Sequence, residues 1–85
     1  MKWRVHVRDK VFKTLQRIPT PDWRRVDAVF GQLGEDPFSG DVAKMKGEEN
    51  VWRRRVGACR IFYHARSSER LVYVFRVERR TSKTY

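Results

Sequence analysis

The chain has a single cysteine, Cys59, so it can form no internal disulfide and offers no cysteine cluster for a metal. It has no apolar run approaching membrane-spanning length. Its first residues, MKWRVHVRD, lack the apolar stretch of a signal peptide. Internal repeats and low-complexity segments are absent. Acidic residues are scarce: ten, against twenty lysines and arginines. With 85 residues there is no room for a second core. These absences leave a single domain spanning 1–85, expected to be soluble and cytoplasmic.

What is present is positive charge and aromatic bulk. The net charge is +10, and 13% of the residues are aromatic, enough for a folded core. From Ala43 onward there are twelve lysines and arginines against four glutamates, so that half carries +8 of the +10. Nine of the twelve are arginines, whose planar fork suits bidentate phosphate contacts. Phosphate backbones or acidic proteins are the partners such a chain finds.

Trp3-Arg4-Val5-His6-Val7-Arg8 alternates apolar and basic residues, the pattern of a strand with one buried face. Asp9 suits a helix cap, with Val11, Phe12, Leu15 and Ile18 at helical spacing and Pro19 ending the helix. Thr20-Pro21-Asp22 reads as a second helix start. Its apolar stripe is Val26, Val29, Phe30 and Leu33, and Gly34 suits its C-terminal cap. Residues 35–50 read as a loop, with Met45 turned inward and Lys44 and Lys46 facing out. Strands are expected near 51–56, 59–65 and 71–78. The order is βααβββ: an α+β domain whose N-terminal strand and two-helix hairpin accompany an antiparallel sheet with three C-terminal strands.

Gly57-Ala58 suits a two-residue turn with glycine at the first central position. That turn sets Val56 opposite Cys59, Arg55 opposite Arg60, Arg54 opposite Ile61, Arg53 opposite Phe62 and Trp52 opposite Tyr63. Directly opposite residues share a face. Trp52, Arg54, Val56, Cys59, Ile61 and Tyr63 therefore share one face, and Arg53, Arg55, Arg60, Phe62 and His64 the other. A short loop at 67–70 carries Tyr73, Phe75, Val77 and Arg79 onto the face with Arg60. Arg53, Arg55, Arg60 and Arg79 then converge. Opposed like charges cost up to about 1 kcal/mol per pair. A fold tolerates that where an anion sits between them. Arg54, a poor core residue, belongs at the sheet margin.

The segments KMKG (44–47), WRRRVGACRIFY (52–63) and VYVFRVERRTSKTY (72–85) resemble the RelE/ParE toxins of bacterial type II toxin–antitoxin systems. The helical hairpin and DPFSGDVAKMKG match as well, so the resemblance covers nearly the whole chain. It departs from the family pattern at Cys59, where an aromatic residue is usual, and at Arg54, where an apolar one is. For the RelE branch the resemblance implies a microbial-RNase-like sheet with two helices, and cleavage of mRNA in the ribosomal A site. It implies catalytic roles for Arg53, Arg55, Arg60, Arg79 and Tyr85. Lys44, Lys46, Arg54, Arg80 and Lys83 are the accompanying candidates for nucleic-acid contact. The implied partners are a cognate antitoxin, the ribosome with its rRNA, and mRNA. No cofactor and no metal are implied.

The implied chemistry is attack of a neighbouring 2′-OH on the scissile phosphate, leaving a 2′,3′-cyclic phosphate and a 5′-OH. Arg60 and Arg79 would hold the phosphate, with Arg53 and Arg55 positioning it or lying near the leaving oxygen. The base stays open among Tyr85, His64, Glu48 and Glu49. Two other readings compete. One is the gyrase-poisoning branch of the same superfamily, which has no catalysis and tends to have longer helices. The other is a basic RNA-binding module that never cleaves.

Overall fold

The computed structural model describes residues 2–80. Seven elements follow one another: β1 (Arg4–Val7), α1 (Asp9–Leu15), α2 (Thr20–Glu35), β2 (Val42–Lys44), β3 (Val51–Val56), β4 (Cys59–Arg66) and β5 (Leu71–Arg79). The strands form one sheet in the order β1-β5-β4-β3-β2. The βααβββ order of the sequence reading holds, with two additions. The loop at 35–50 contains the three-residue edge strand β2, antiparallel to β3. The first strand joins the sheet parallel to β5, while the other pairs are antiparallel.

Both helices bury their apolar stripes against one face of the sheet. Val11, Leu15 and Ile18, with Val26, Val29, Phe30 and Leu33, meet Cys59, Ile61, Tyr63, Ala65, Val72, Val74 and Val77 in one core. Burying each such side chain contributes about 1.5–3 kcal/mol. Phe12, expected in the first stripe, is instead half exposed. The seven-residue α1 turns barely twice, and Phe12 falls on its outer side.

The helix ends differ from expectation by a residue or two. Asp9 is the first helical residue rather than the cap, which falls on Arg8 without a side-chain bond. Pro19 precedes α2 at its cap, and Asp22 lies in the first turn, beside the positive end of the helix dipole. Gly34 does not cap α2; it is buried within the last turn, and its carbonyl accepts a 2.8 Å bond from the Trp3 backbone N–H.

Tyr63 fixes the long loop after α2. Its ring is fully buried, and its hydroxyl donates a 2.5 Å bond to the Pro37 carbonyl. Burial pushes the Tyr63 pKa up to about 12, because ionisation would place an anion among apolar neighbours.

The candidate anion site and its arginines

The β3–β4 hairpin has the expected register, pair for pair, from Trp52↔Tyr63 to Val56↔Cys59. Gly57 takes the positive φ of +55° that the turn requires. Arg53, Arg55 and Arg60 therefore lie on the sheet face turned away from the helices. Arg55 is directly opposite Arg60, and Arg53 is its diagonal neighbour, about 7–8 Å away.

Arg79 departs from the expected arrangement. A β-bulge separates the pairs Tyr63↔Val74 and Phe62↔Arg76, leaving Phe75 as an extra residue on β5. One extra residue reverses every later side chain. Tyr73 still shares the outer face with His64. Beyond the bulge Val77 pairs with Ile61 and points into the core, and Arg79 pairs with Cys59 on the helix side. There Arg79 Nε donates a 2.8 Å bond to Asp22 Oδ2 on α2. Arg76 and Glu78 take the outer positions instead. Glu78 stands directly opposite Arg60, and its carboxylate accepts a 2.5 Å bond from Arg76.

Arg80 completes the cluster from the end of β5. Its backbone N–H donates a 2.7 Å bond to the Ala58 carbonyl, which clamps this end of the strand to the hairpin turn. An open cleft lies at that corner, lined by Arg55, Gly57, Ala58, Cys59, Arg60, Arg79 and Arg80. Partial desolvation, followed by the charges of Arg80, Arg53 and Arg55, pushes the Arg60 pKa down. Glu78 acts in the opposite direction. Arg60 stays charged nonetheless. The cleft is edged by four guanidinium groups, with Asp22 bonded to Arg79 and Glu78 facing Arg60 from β5, a charge arrangement that suits an oxyanion such as phosphate.

Arg54 does not belong to this surface. Its guanidinium lies on the helix side, donating to Gln32 Oε1 at 2.9 Å and to the Ser39 carbonyl at 3.2 Å. Expected among the nucleic-acid contacts, it lies apart from the arginine face as a strut between β3, α2 and the loop. Lys44 and Lys46 are exposed, as expected, on β2 and the loop after it, with Glu48 and Glu49 beside them. The arginine cleft does not include them. Tyr85 and Lys83 lie outside the described residues. Burial pushes the Cys59 thiol pKa up, with Asp22 adding to the effect and Arg79 opposing it, so it packs as a small apolar group.

Sequence reasoning missed Glu78, Arg76 and Asp22. All three follow from the bulge. Strict alternation along VYVFRVER would put Arg76 and Glu78 into the core beside Val72 and Val74, and that impossibility is the signal for the extra residue.

The fold and the site define a class: small basic α+β domains with two helices on one sheet face and an arginine cluster on the other. A family model described as ParE toxin of type II toxin-antitoxin system, parDE, matches residues 4–83. The chain belongs to this RelE/ParE family of type II toxin–antitoxin toxins. A Methanocaldococcus jannaschii protein bearing the name toxin RelE1 is 25% identical over 83 residues, 94% of this chain and 92% of the relative. A chain of the archaeal RelE–RelB complex from Pyrococcus horikoshii superposes with a TM-score of 0.83 at 25% identity, covering 98% of this chain and 100% of that one. The isolated RelE toxin of E. coli shares the fold, with a TM-score of 0.78 at 12% identity over 95% of this chain and 87% of that one. No helix among the described residues is long and apolar enough to cross a membrane.

Proposed function

We propose that the chain is a ribosome-dependent mRNA endoribonuclease that works in the cytoplasm and inhibits translation. The observation that carries this reading is the meeting of Arg53, Arg55 and Arg60 on one open sheet face, with Arg80 at its corner. Asp41, 4.0 Å from Arg55, and Glu78, opposite Arg60, offset part of this repulsion, and a bound phosphodiester would relieve the rest.

In this reading the 2′-OH gives up its proton and attacks the adjacent phosphorus, a P–O bond forms, the bond to the 5′-oxygen breaks, and that oxygen takes a proton from solvent. The products are a 2′,3′-cyclic phosphate and a 5′-OH. Negative charge builds on the phosphoryl oxygens, and Arg60 with Arg55 is placed to meet it. One such donor is typically worth about 3–4 kcal/mol in the transition state. Arg53 positions the strand. Arg79, held at Nε by Asp22 on the helix side, borders the same cleft and orients from there. Glu78 stands directly opposite Arg60 on β5 and is the candidate to take the 2′-OH proton. Tyr85 is the candidate that the family resemblance adds.

The natural counterpart is an antitoxin that covers the basic cleft with an acidic or amphipathic segment. Solved complexes of RelE with RelB from P. horikoshii and Methanococcus jannaschii support it. Gyrase inhibition is the second reading, because the matching family model is described by the ParE toxin. The seven-residue α1 favours the nuclease.

Induction in growing bacteria, followed by primer extension on an abundant transcript, tests the proposal. Cuts confined to translated regions, absent with Arg60→Ala, are expected. Growth arrest with intact mRNA would move the assignment to gyrase.

A further inference from the structure

The outer sheet face carries a second feature that the arginine cleft does not use. Across β1, β5 and β4, cross-strand pairing lines up His6, Tyr73 and His64 in one row. The rings stack in series. His6 and Tyr73 have centroids 5.4 Å apart with planes 13° from parallel, and Tyr73 and His64 are 6.4 Å apart at 24°. Phe75, the bulged residue, leans on His64 at 5.0 Å. The stack ends at His6, which is exposed on an edge strand, so among the described residues only one face of its ring, the one toward Tyr73, carries a stacking partner.

The row beside it is basic. Arg4 and Arg66 flank Leu71 across the same three strands. An open cleft lined by Arg4, Val5, His6, Leu71 and Tyr73 joins the two rows. A ring with a free face next to an arginine takes a nucleobase and its phosphate, and nothing about that pairing depends on which base it is. His64 lies four steps along β4 from Arg60, about 13 Å, so the position is separate from the phosphate held at Arg60. The helix face of the sheet has no such surface, since its side chains are in the core.

The geometry points to a base-stacking subsite for single-stranded RNA at the His6–Tyr73–His64 stack, with Arg4 receiving the neighbouring phosphate. It rests on the reading of the arginine face as an RNA-cleaving site, and it extends the substrate track from the arginine cleft to the β1 edge. The charge of the face fits a polyanion, and the planar stack fits an unpaired base rather than a duplex.

The test uses the purified full chain and a fluorescent six-nucleotide RNA carrying 2′-O-methyl groups, which no 2′-OH attack can cut. A dinucleotide of the same chemistry is the short control. His6 is exposed, so His6→Ala keeps the fold. His6→Ala is expected to weaken the hexanucleotide about tenfold and leave the dinucleotide unchanged. His6→Tyr restores stacking and therefore binding. A hexanucleotide abasic at the stacked position binds wild type and His6→Ala equally. Unchanged hexanucleotide binding in His6→Ala overturns the subsite, and so does equal weakening of both lengths. Cleavage by wild type and Arg60→Ala, measured in parallel on uncapped 2′-OH RNA in ribosomes, separates the two ideas. Loss of cleavage with Arg60→Ala beside His6-independent binding removes the subsite and keeps the nuclease. Absence of cleavage by wild type removes the nuclease reading, and cleavage that survives Arg60→Ala removes the arginine face as its site, while in both cases the His6 comparison still decides the subsite.

Discussion

Replacing Arg54 with alanine cuts a strut rather than a nucleic-acid contact, and the structure sets the size of the effect. The guanidinium donates to Gln32 Oε1 at 2.9 Å and to the Ser39 carbonyl at 3.2 Å. Hydrogen bonds from a charged donor contribute about 1.5–3 kcal/mol each, and a half-buried site falls at the low end. The loss is therefore about 3 kcal/mol. In a domain of this size each 1 kcal/mol moves Tm by about 4–8 °C, so Arg54→Ala melts roughly 12–24 °C lower. Gly40 adds an internal control. Its φ is +87°, and a Cβ there would lie 2.6 Å from Arg54 Cζ. In wild type, Gly40→Ala suffers both backbone strain and that collision. In Arg54→Ala only the strain remains, about 1 kcal/mol. Urea and thermal unfolding of the four chains measures the coupling directly. Arg55→Ala is the surface control, expected within about 0.5 kcal/mol of wild type. If Arg54→Ala were as stable as that control, or if the two substitutions were strictly additive, the strut assignment would be wrong.

Two other outcomes follow from the same packing and charge. Tyr63 ionises with difficulty when folded, its pKa standing at about 12 against an ordinary 10.0. The raised value means the neutral phenol is favoured in the native state, so its contribution is complete below pH 10 and is lost as pH rises through 12. Wild type should therefore lose more stability than Tyr63→Phe between pH 10 and 12 in urea titrations, while at pH 7 Tyr63→Phe is about 1–2 kcal/mol weaker for want of the bond to Pro37. A parallel decline of both chains would contradict this. The arginine cleft predicts that sulfate raises Tm beyond chloride at matched ionic strength, since a divalent oxyanion binds the native cluster and screening alone does not distinguish the two. Arg60→Ala should lose most of the increment; an undiminished increment would mean the anion sits elsewhere.

The sequence made the central hairpin legible because glycine at 57 is specific for its turn, and the turn determines every pair up to Trp52↔Tyr63. Three of the four expected arginines were placed on their face by that argument alone. The helices were legible through their apolar spacing, though their ends were not, since Asp9, Pro19 and Gly34 each fit more than one capping position. Strand β2 escaped because three residues carry no period. Its Val42 and Ala43 are only half buried, so the hydrophobic contrast is weak as well. Arg79 was misplaced for a sharper reason. The apolar positions of β5 run Val72, Val74, Val77, and the step from two to three marks the bulge. Alternation alone carried the pattern past it. The parallel seating of β1 beside β5 is set by the return of the chain over the helical layer, which no local pattern encodes.

The most direct test of the account puts the purified chain on ribosomes programmed with a defined mRNA. Cleavage within the A-site codon is predicted, yielding a 2′,3′-cyclic phosphate and a 5′-OH. Arg60→Ala should lower the single-turnover rate by about two to three orders of magnitude, the value of one transition-state donor. An mRNA left intact on the ribosome by the wild-type chain, or cut equally by Arg60→Ala, would contradict the assignment of the arginine face as a catalytic phosphate site.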